Sequence, residues 1–98
     1  MSDDDPGFAL PAFSADNALV QIKRALRDLK LAERGSGFEL KGKAVLQLAA
    51  EEGGITVKLA KRLSMTPEWD RQTVKSGADQ RKLLDEVKRR LERWQRED

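Results

Sequence analysis

Residues 38–60 read FELKGKAVLQLAAEEGGITVKLA, and the way this stretch folds decides the architecture of the chain. Phe38 and Leu40 flank Glu39. Leu46 and Leu48 alternate with Val45, Gln47 and Ala49, and Ile55, Val57 and Leu59 alternate with Thr56, Lys58 and Ala60. An alternation of two is the period of a strand, not of a helix. Two breaks interrupt it. Lys41-Gly42 supplies a tight turn, because glycine takes a positive φ without steric cost, and Glu52-Gly53-Gly54 supplies a second. The stretch therefore predicts a three-stranded antiparallel meander. A shorter fourth strand is predicted over Arg71 to Lys75.

The flanks carry the period of helices. Leu19, Ile22, Leu26 and Leu29 recur at spacings of three and four, behind Ser14 as N-cap and Asp16 in the first turn. The ERGSG stretch, Glu33 to Gly37, is expected to end this helix in a loop. Leu84, Val87, Leu91 and Trp94 repeat the same spacing behind Ser76, with Asp79 three residues on as in a capping box. The outer side of this second helix carries Arg81–Asp85, Asp85–Arg89, Glu86–Arg90 and Glu92–Arg96 pairs at i,i+4. Two matched apolar stripes need a common partner, and an antiparallel sheet with one apolar face provides it. The expectation is an α+β domain, α-β-β-β-(β)-α, with both helices packed on one face of the sheet. It covers residues 13–96. Residues 1–12 form an acidic and apolar tail broken by Pro6-Gly7 and Pro11, whose FALPAF segment docks on its own domain or on a partner; residues 97–98 are a frayed end.

Composition removes much chemistry. The 98 residues contain no Cys and no His, which excludes disulfides, thiol nucleophiles, the usual zinc sites and Ser-His-Asp arrangements. No nucleophile–base pair, phosphate-cradling glycine loop or metal-ligand cluster is visible, so the reading is no enzyme, no cofactor and no metal. No run approaches the roughly 20 apolar residues of a membrane span, and the acidic N-terminus lacks a signal pattern; no membrane and a cytoplasmic location are expected. The 19 bases and 17 acids give a net charge of +2, but Asp3, Asp4, Asp5, Glu97 and Asp98 lie at the ends. Without these five, 12 acids face 19 bases, a net of +7 for residues 6–96, which favours anionic partners.

Three surfaces stand out. If the helices cover one face of the sheet, the other presents Glu39, Val45, Gln47, Ala49, Thr56, Lys58, Ala60 and Arg62, with no aromatic residue. This is the expected partner surface. The leading functional expectation is a small non-catalytic protein-interaction domain, binding a protein partner or a second copy of itself, with a homodimer formed through Val45, Ala49 and Ala60. The second surface is the segment MTPEWD, residues 65–70. Glu68, Trp69 and Arg71 are candidate loop contacts for a partner or a small molecule. Alternation sends Trp69 away from Glu68 and Asp70, which argues against a Trp-walled carboxylate pair, and the crossing position suits an aromatic plug at the open end of the core. The third surface is basic: Lys23, Arg27 and Lys30 on helix one, Lys75, Arg81, Lys82, Arg89 and Arg93 around helix two.

That basic surface carries the alternative reading, an RNA- or DNA-binding module. The element order α-β-β-β-α over residues 14–96 is similar to that of double-stranded RNA-binding domains. The resemblance implies recognition of duplex RNA by shape, through phosphates and 2′-hydroxyls, with basic residues at the start of the last helix gripping phosphate. The matching stretch is KSGADQRK, with Lys75, Arg81 and Lys82 around Asp79, and Leu83-Leu84-Asp85-Glu86 stands where that family carries small residues.

Overall fold

The structure, a computed structural model, describes residues 13–97; the tail expected over residues 1–12 and the terminal Asp98 lie outside the described residues. Helix α1 spans Ala15–Asp28, and the Ser14 hydroxyl accepts the Asn17 N–H at 3.2 Å, so the predicted N-cap is formed. Its end is not the glycine-rich stretch. Lys30 adopts φ 71°, the Lys30 N–H donates to the Arg27 carbonyl, and the Leu31 N–H donates to the Leu26 carbonyl. These two bonds are a Schellman motif with lysine at the left-handed position, and the buried Leu31 supplies its apolar contact.

Stopping α1 there leaves room for a strand that the sequence pattern concealed. Strand β1 (Ala32–Arg34) turns through Gly35 and Ser36 into β2 (Gly37–Leu40), so part of the expected ERGSG loop is a hairpin. Strands β3 (Lys43–Glu51), β4 (Gly54–Ala60) and β5 (Trp69–Val74) follow, all antiparallel, in the order β1-β2-β3-β4-β5. Lys41 and Gly42 take φ values of 55° and 78°, the two positive values a type I′ hairpin needs. Strand β5 begins two residues earlier than predicted and ends one earlier.

Helix α2 (Gly77–Arg96) is capped as its sequence suggests: the Ser76 hydroxyl accepts the Asp79 N–H at 3.1 Å, and the Asp79 carboxylate accepts the Lys75 N–H at 3.0 Å. Both helices lie on one face of the sheet, α1 over β1, β3 and β4 and α2 over β5. The buried stripes are Ala18, Ile22 and Leu26 on α1 and Leu83, Val87, Leu91 and Trp94 on α2. Leu19, Leu29 and Leu84, expected inside, sit half-buried at the flanks. They close against Phe38, Leu46, Leu48, Ile55, Val57, Leu59 and Val74 from the sheet. Each such side chain fully removed from water contributes about 1.5–3 kcal/mol.

One register shift matters for the surface. Phe38 pairs with Leu46 while Glu39 pairs with Ala44, so Val45 is an extra residue without a partner on β2. A bulge of this kind breaks the alternation locally. Val45 and Leu46 are consequently both fully buried, and Val45 does not belong to the accessible open face on which strict alternation placed it.

The far end of α2 is tied to the sheet. Arg93 donates to the Lys61 carbonyl at 2.6 Å, the Glu97 carboxylate accepts the Leu63 N–H at 3.0 Å, and Lys41 donates to the Gln95 and Glu97 carbonyls at 3.0 and 3.3 Å. Glu97, expected to fray, is therefore held. Among the described residues no helix is long and apolar enough to cross a membrane.

Candidate functional site

Which way β5 faces is fixed by one residue. The Arg90 guanidinium on α2 donates to Asp70 at 2.8 Å, so Asp70 points to the helix side. Successive strand residues point to opposite faces, so Trp69, Arg71 and Thr73 lie on the open side. The ladder then sets them directly against β4: Ala60 opposite Trp69, Lys58 opposite Arg71, Thr56 opposite Thr73. The middle pair belongs to a row that crosses all five strands, Arg34–Gly37–Gln47–Lys58–Arg71. Gly37 is required within it, because a Cβ there would meet the Leu46 carbonyl oxygen at 2.5 Å.

Three cations thus share one row. Arg34 is answered by Glu39 at 3.5 Å. Among the described residues no carboxylate answers Lys58 or Arg71. Glu51, at the far end of the same face, accepts the Thr56 hydroxyl at 2.9 Å. Like charges directly opposite on neighbouring strands are destabilising, and Lys58–Arg71 is such a pair. Beside it runs a shallow depression of about 150 Å³ lined by Ser36, Gln47, Ala49, Thr56 and Lys58.

The expected partner surface is therefore redrawn. Gln47 and Ala49 are exposed and Thr56 and Lys58 half-buried, as the alternation predicts for an open face. Val45 is lost to the bulge, and Ala60 is fully buried opposite Trp69, so neither can furnish the dimer contact expected of them. Arg62 lies beyond the end of β4, in the connection to β5. The open face also gains what the sequence reading denied it, an aromatic. Trp69 and Arg71 are not loop residues but positions one and three of β5, while Glu68 lies just before the strand, its carbonyl accepting the Lys61 N–H at 2.9 Å. Trp69 is half-buried and packs against the core at the start of β5, opposite Ala60. That connection bounds an open depression of about 480 Å³ lined by Lys61, Arg62, Ser64, Thr66 and Glu68.

The helix-borne bases are dispersed. Lys23 and Arg27 both reach Glu33 on β1, at 3.5 and 2.9 Å; the Arg27 bond above all holds the Glu33 carboxyl below its usual range. Arg89 is paired with Glu86 at 2.5 Å, not with Asp85, and Arg93 caps the Lys61 carbonyl. Lys30, Lys75, Arg81 and Lys82 are exposed. Arg90, passed over as one of several outer-face charges, is the buried one. Its side chain is 14% exposed and its guanidinium donates to Glu86 at 2.6 Å, Asp70 at 2.8 Å and the Ala60 carbonyl at 3.2 Å. Burial alone would lower the Arg90 pKa, but the bonds to Glu86 and Asp70 outweigh it and raise it.

Among the described residues no group of three or more carboxylates comes together as a metal site would require. Comparison with protein-family models, with curated proteins and with solved structures finds no match for this chain.

Proposed function

We propose that this chain is a small non-catalytic binding domain whose working surface is the open face of the sheet at β4 and β5, and that its partner is negatively charged where it lands. The observation that carries the reading is the Lys58–Arg71 pair, set directly opposite and unanswered by any described carboxylate. A fold gains nothing from such a juxtaposition; an anionic partner does. A second copy docked through the same face would bring the two unanswered cations, Lys58 and Arg71, to an interface that carries the same two again, an excess of positive charge that disfavours self-association. The homodimer version of the reading is therefore the weaker one. The absence of His and Cys from the sequence supports a binding role over catalysis.

The test is retention of the full chain on an immobilised sulfated polysaccharide across a salt gradient. Lys58→Glu/Arg71→Glu should elute at clearly lower salt than Arg81→Glu/Lys82→Glu, which changes net charge equally at the exposed start of α2. Equal elution of the two variants would show that net charge alone governs binding, and the proposal would fail.

A further inference from the structure

We infer that the anionic partner is a single-stranded nucleic acid, with phosphates on Lys58 and Arg71 and a base stacked on Trp69. This rests on the working surface proposed above and names what occupies it. Lys58 and Arg71 alone would suit any polyanion. Trp69 narrows the choice: it stands on the same face, two residues before Arg71 on the same strand and next to the Ala60–Lys58 stretch of β4. Alternate residues of a strand repeat at about 6.6–6.8 Å, so an indole and a guanidinium so placed can take a base and a phosphate of one nucleotide unit. Proteins that hold single strands without sequence preference combine these two elements, a cationic track and an aromatic on which a base lies.

Neighbouring groups fit. Thr73 offers a hydroxyl, and Gln47 an amide, at the margins of the cation pair. Duplex binding in the manner of the resembling family would draw on Lys75, Arg81 and Lys82, which are exposed, but a duplex keeps its bases stacked and leaves Trp69 unused. The other helix bases Lys23, Arg27, Arg89 and Arg93 are already bonded within the fold. An acidic polypeptide would satisfy the two cations but leaves Trp69 unused. The observations favour the single strand.

The experiment titrates the full chain with a twelve-nucleotide oligothymidylate at low salt, with the corresponding duplex and polyglutamate as the other arms. Trp94→Phe leaves Trp69 as the sole tryptophan, and its fluorescence should be quenched by the oligothymidylate and not by polyglutamate. If that variant does not fold, anisotropy of the labelled oligonucleotide with the otherwise unaltered chain gives the same comparison. Trp69→Ala should weaken single-strand binding roughly 5- to 150-fold. Lys58→Gln/Arg71→Gln should reduce the slope of log K against log salt by about 1.4, for two phosphates released. Preference for the duplex, or indifference to Trp69→Ala, overturns the inference. If polyglutamate binds through Lys58 and Arg71 while the oligonucleotide does not, the inference falls and the proposed working surface stands. If no polyanion depends on those two residues, both fall.

Discussion

Glu33 and Asp70 stand at the two ends of a single cross-strand row, Glu33–Phe38–Leu46–Leu59–Asp70, and each reaches up to a different helix. Glu33, on edge strand β1, takes Arg27 and Lys23 of α1; Asp70, on edge strand β5, takes Arg90 of α2. The three residues between them are fully or almost fully buried. The helices meet each other through little polar contact, chiefly Gln80 donating to Gln21 at 2.9 Å. Their placement therefore depends on the apolar row beneath, on an acid at each edge and, for α2, on the bonds that tie its far end to Lys41, Lys61 and Leu63. The adjacent row, one residue along each strand, faces the other way and carries the cations. In these two rows the acids face the helices and the cations face the open side, two consequences of one alternation.

The two clasps differ in burial, and that difference sets their weight. The Arg90 side chain is 14% exposed and Arg27 is 50% exposed. Arg90→Ala removes the donor to the Ala60 carbonyl and leaves Glu86 with Arg89 alone and Asp70 with Lys61 alone, and should cost about 1–3 kcal/mol. Arg27→Ala breaks an exposed pair, screened by solvent, and should cost clearly less than Arg90→Ala. Urea unfolding followed by circular dichroism measures both, with the slope m unchanged. Equal losses would show that the helix-two clasp is no more than a surface ion pair.

Acid should loosen the same clasps. Arg27 holds the Glu33 carboxyl, and Arg90 with Arg89 holds the Glu86 carboxyl, below the ordinary value of 4.5. As pH falls the unfolded chain takes up protons at the ordinary value, while the folded chain still resists. The unfolded state then binds more protons, so stability drops as pH falls through the window below 4.5 and is fully present above it. Glu86→Gln should lower stability near neutrality and flatten that acid limb. A limb as steep as that of the parent chain would mean that other carboxylates carry it.

The end of α1 offers a substitution that should stabilise. Lys30 holds φ 71° at the left-handed position of the Schellman motif, its side chain exposed. An L-residue there costs about 1–2 kcal/mol, and glycine avoids the cost while adding some freedom to the unfolded chain. Lys30→Gly should raise stability by about 1 kcal/mol, and Lys30→Ala should not. Thermal unfolding compares the three chains. Oligonucleotide binding should be unmoved by either change, since Lys30 lies outside the β4–β5 face.

These devices explain how far the sequence could be read. Three strands, two helices and both N-caps follow from spacings of two, three and four and from Ser14 and Ser76. What escaped was set by events that leave no period. Strand β1 has only three residues, all exposed, so no alternation of burial marks it, and the lysine at 30 gave no hint that the helix stops there. The bulge that buries Val45 is a matter of pairing between β2 and β3, invisible along either strand alone. Trp69 was misjudged for a related reason. Its polar neighbours Glu68 and Asp70 read as a loop, yet Asp70 is polar because Arg90, twenty residues on, is there to receive it.

Lys58 carries the last prediction. It sits on interior strand β4, half-buried, with Arg71 directly opposite and Gln47 on its other side. Lys58→Glu converts a like-charge pair into an opposite-charge pair and should stabilise the fold by about 0.2–1 kcal/mol. The gain should shrink as added salt screens the pair. Lys58→Glu/Arg71→Glu restores like charges of the other sign and should lose the gain. Equilibrium unfolding at two salt concentrations measures all three chains. The same Lys58→Glu protein should bind single strands poorly, a loss that misfolding could not explain in a chain more stable than its parent. If Lys58→Glu proves less stable instead, lysine at 58 has a structural reason, and the argument that this pair is kept for a ligand loses its premise.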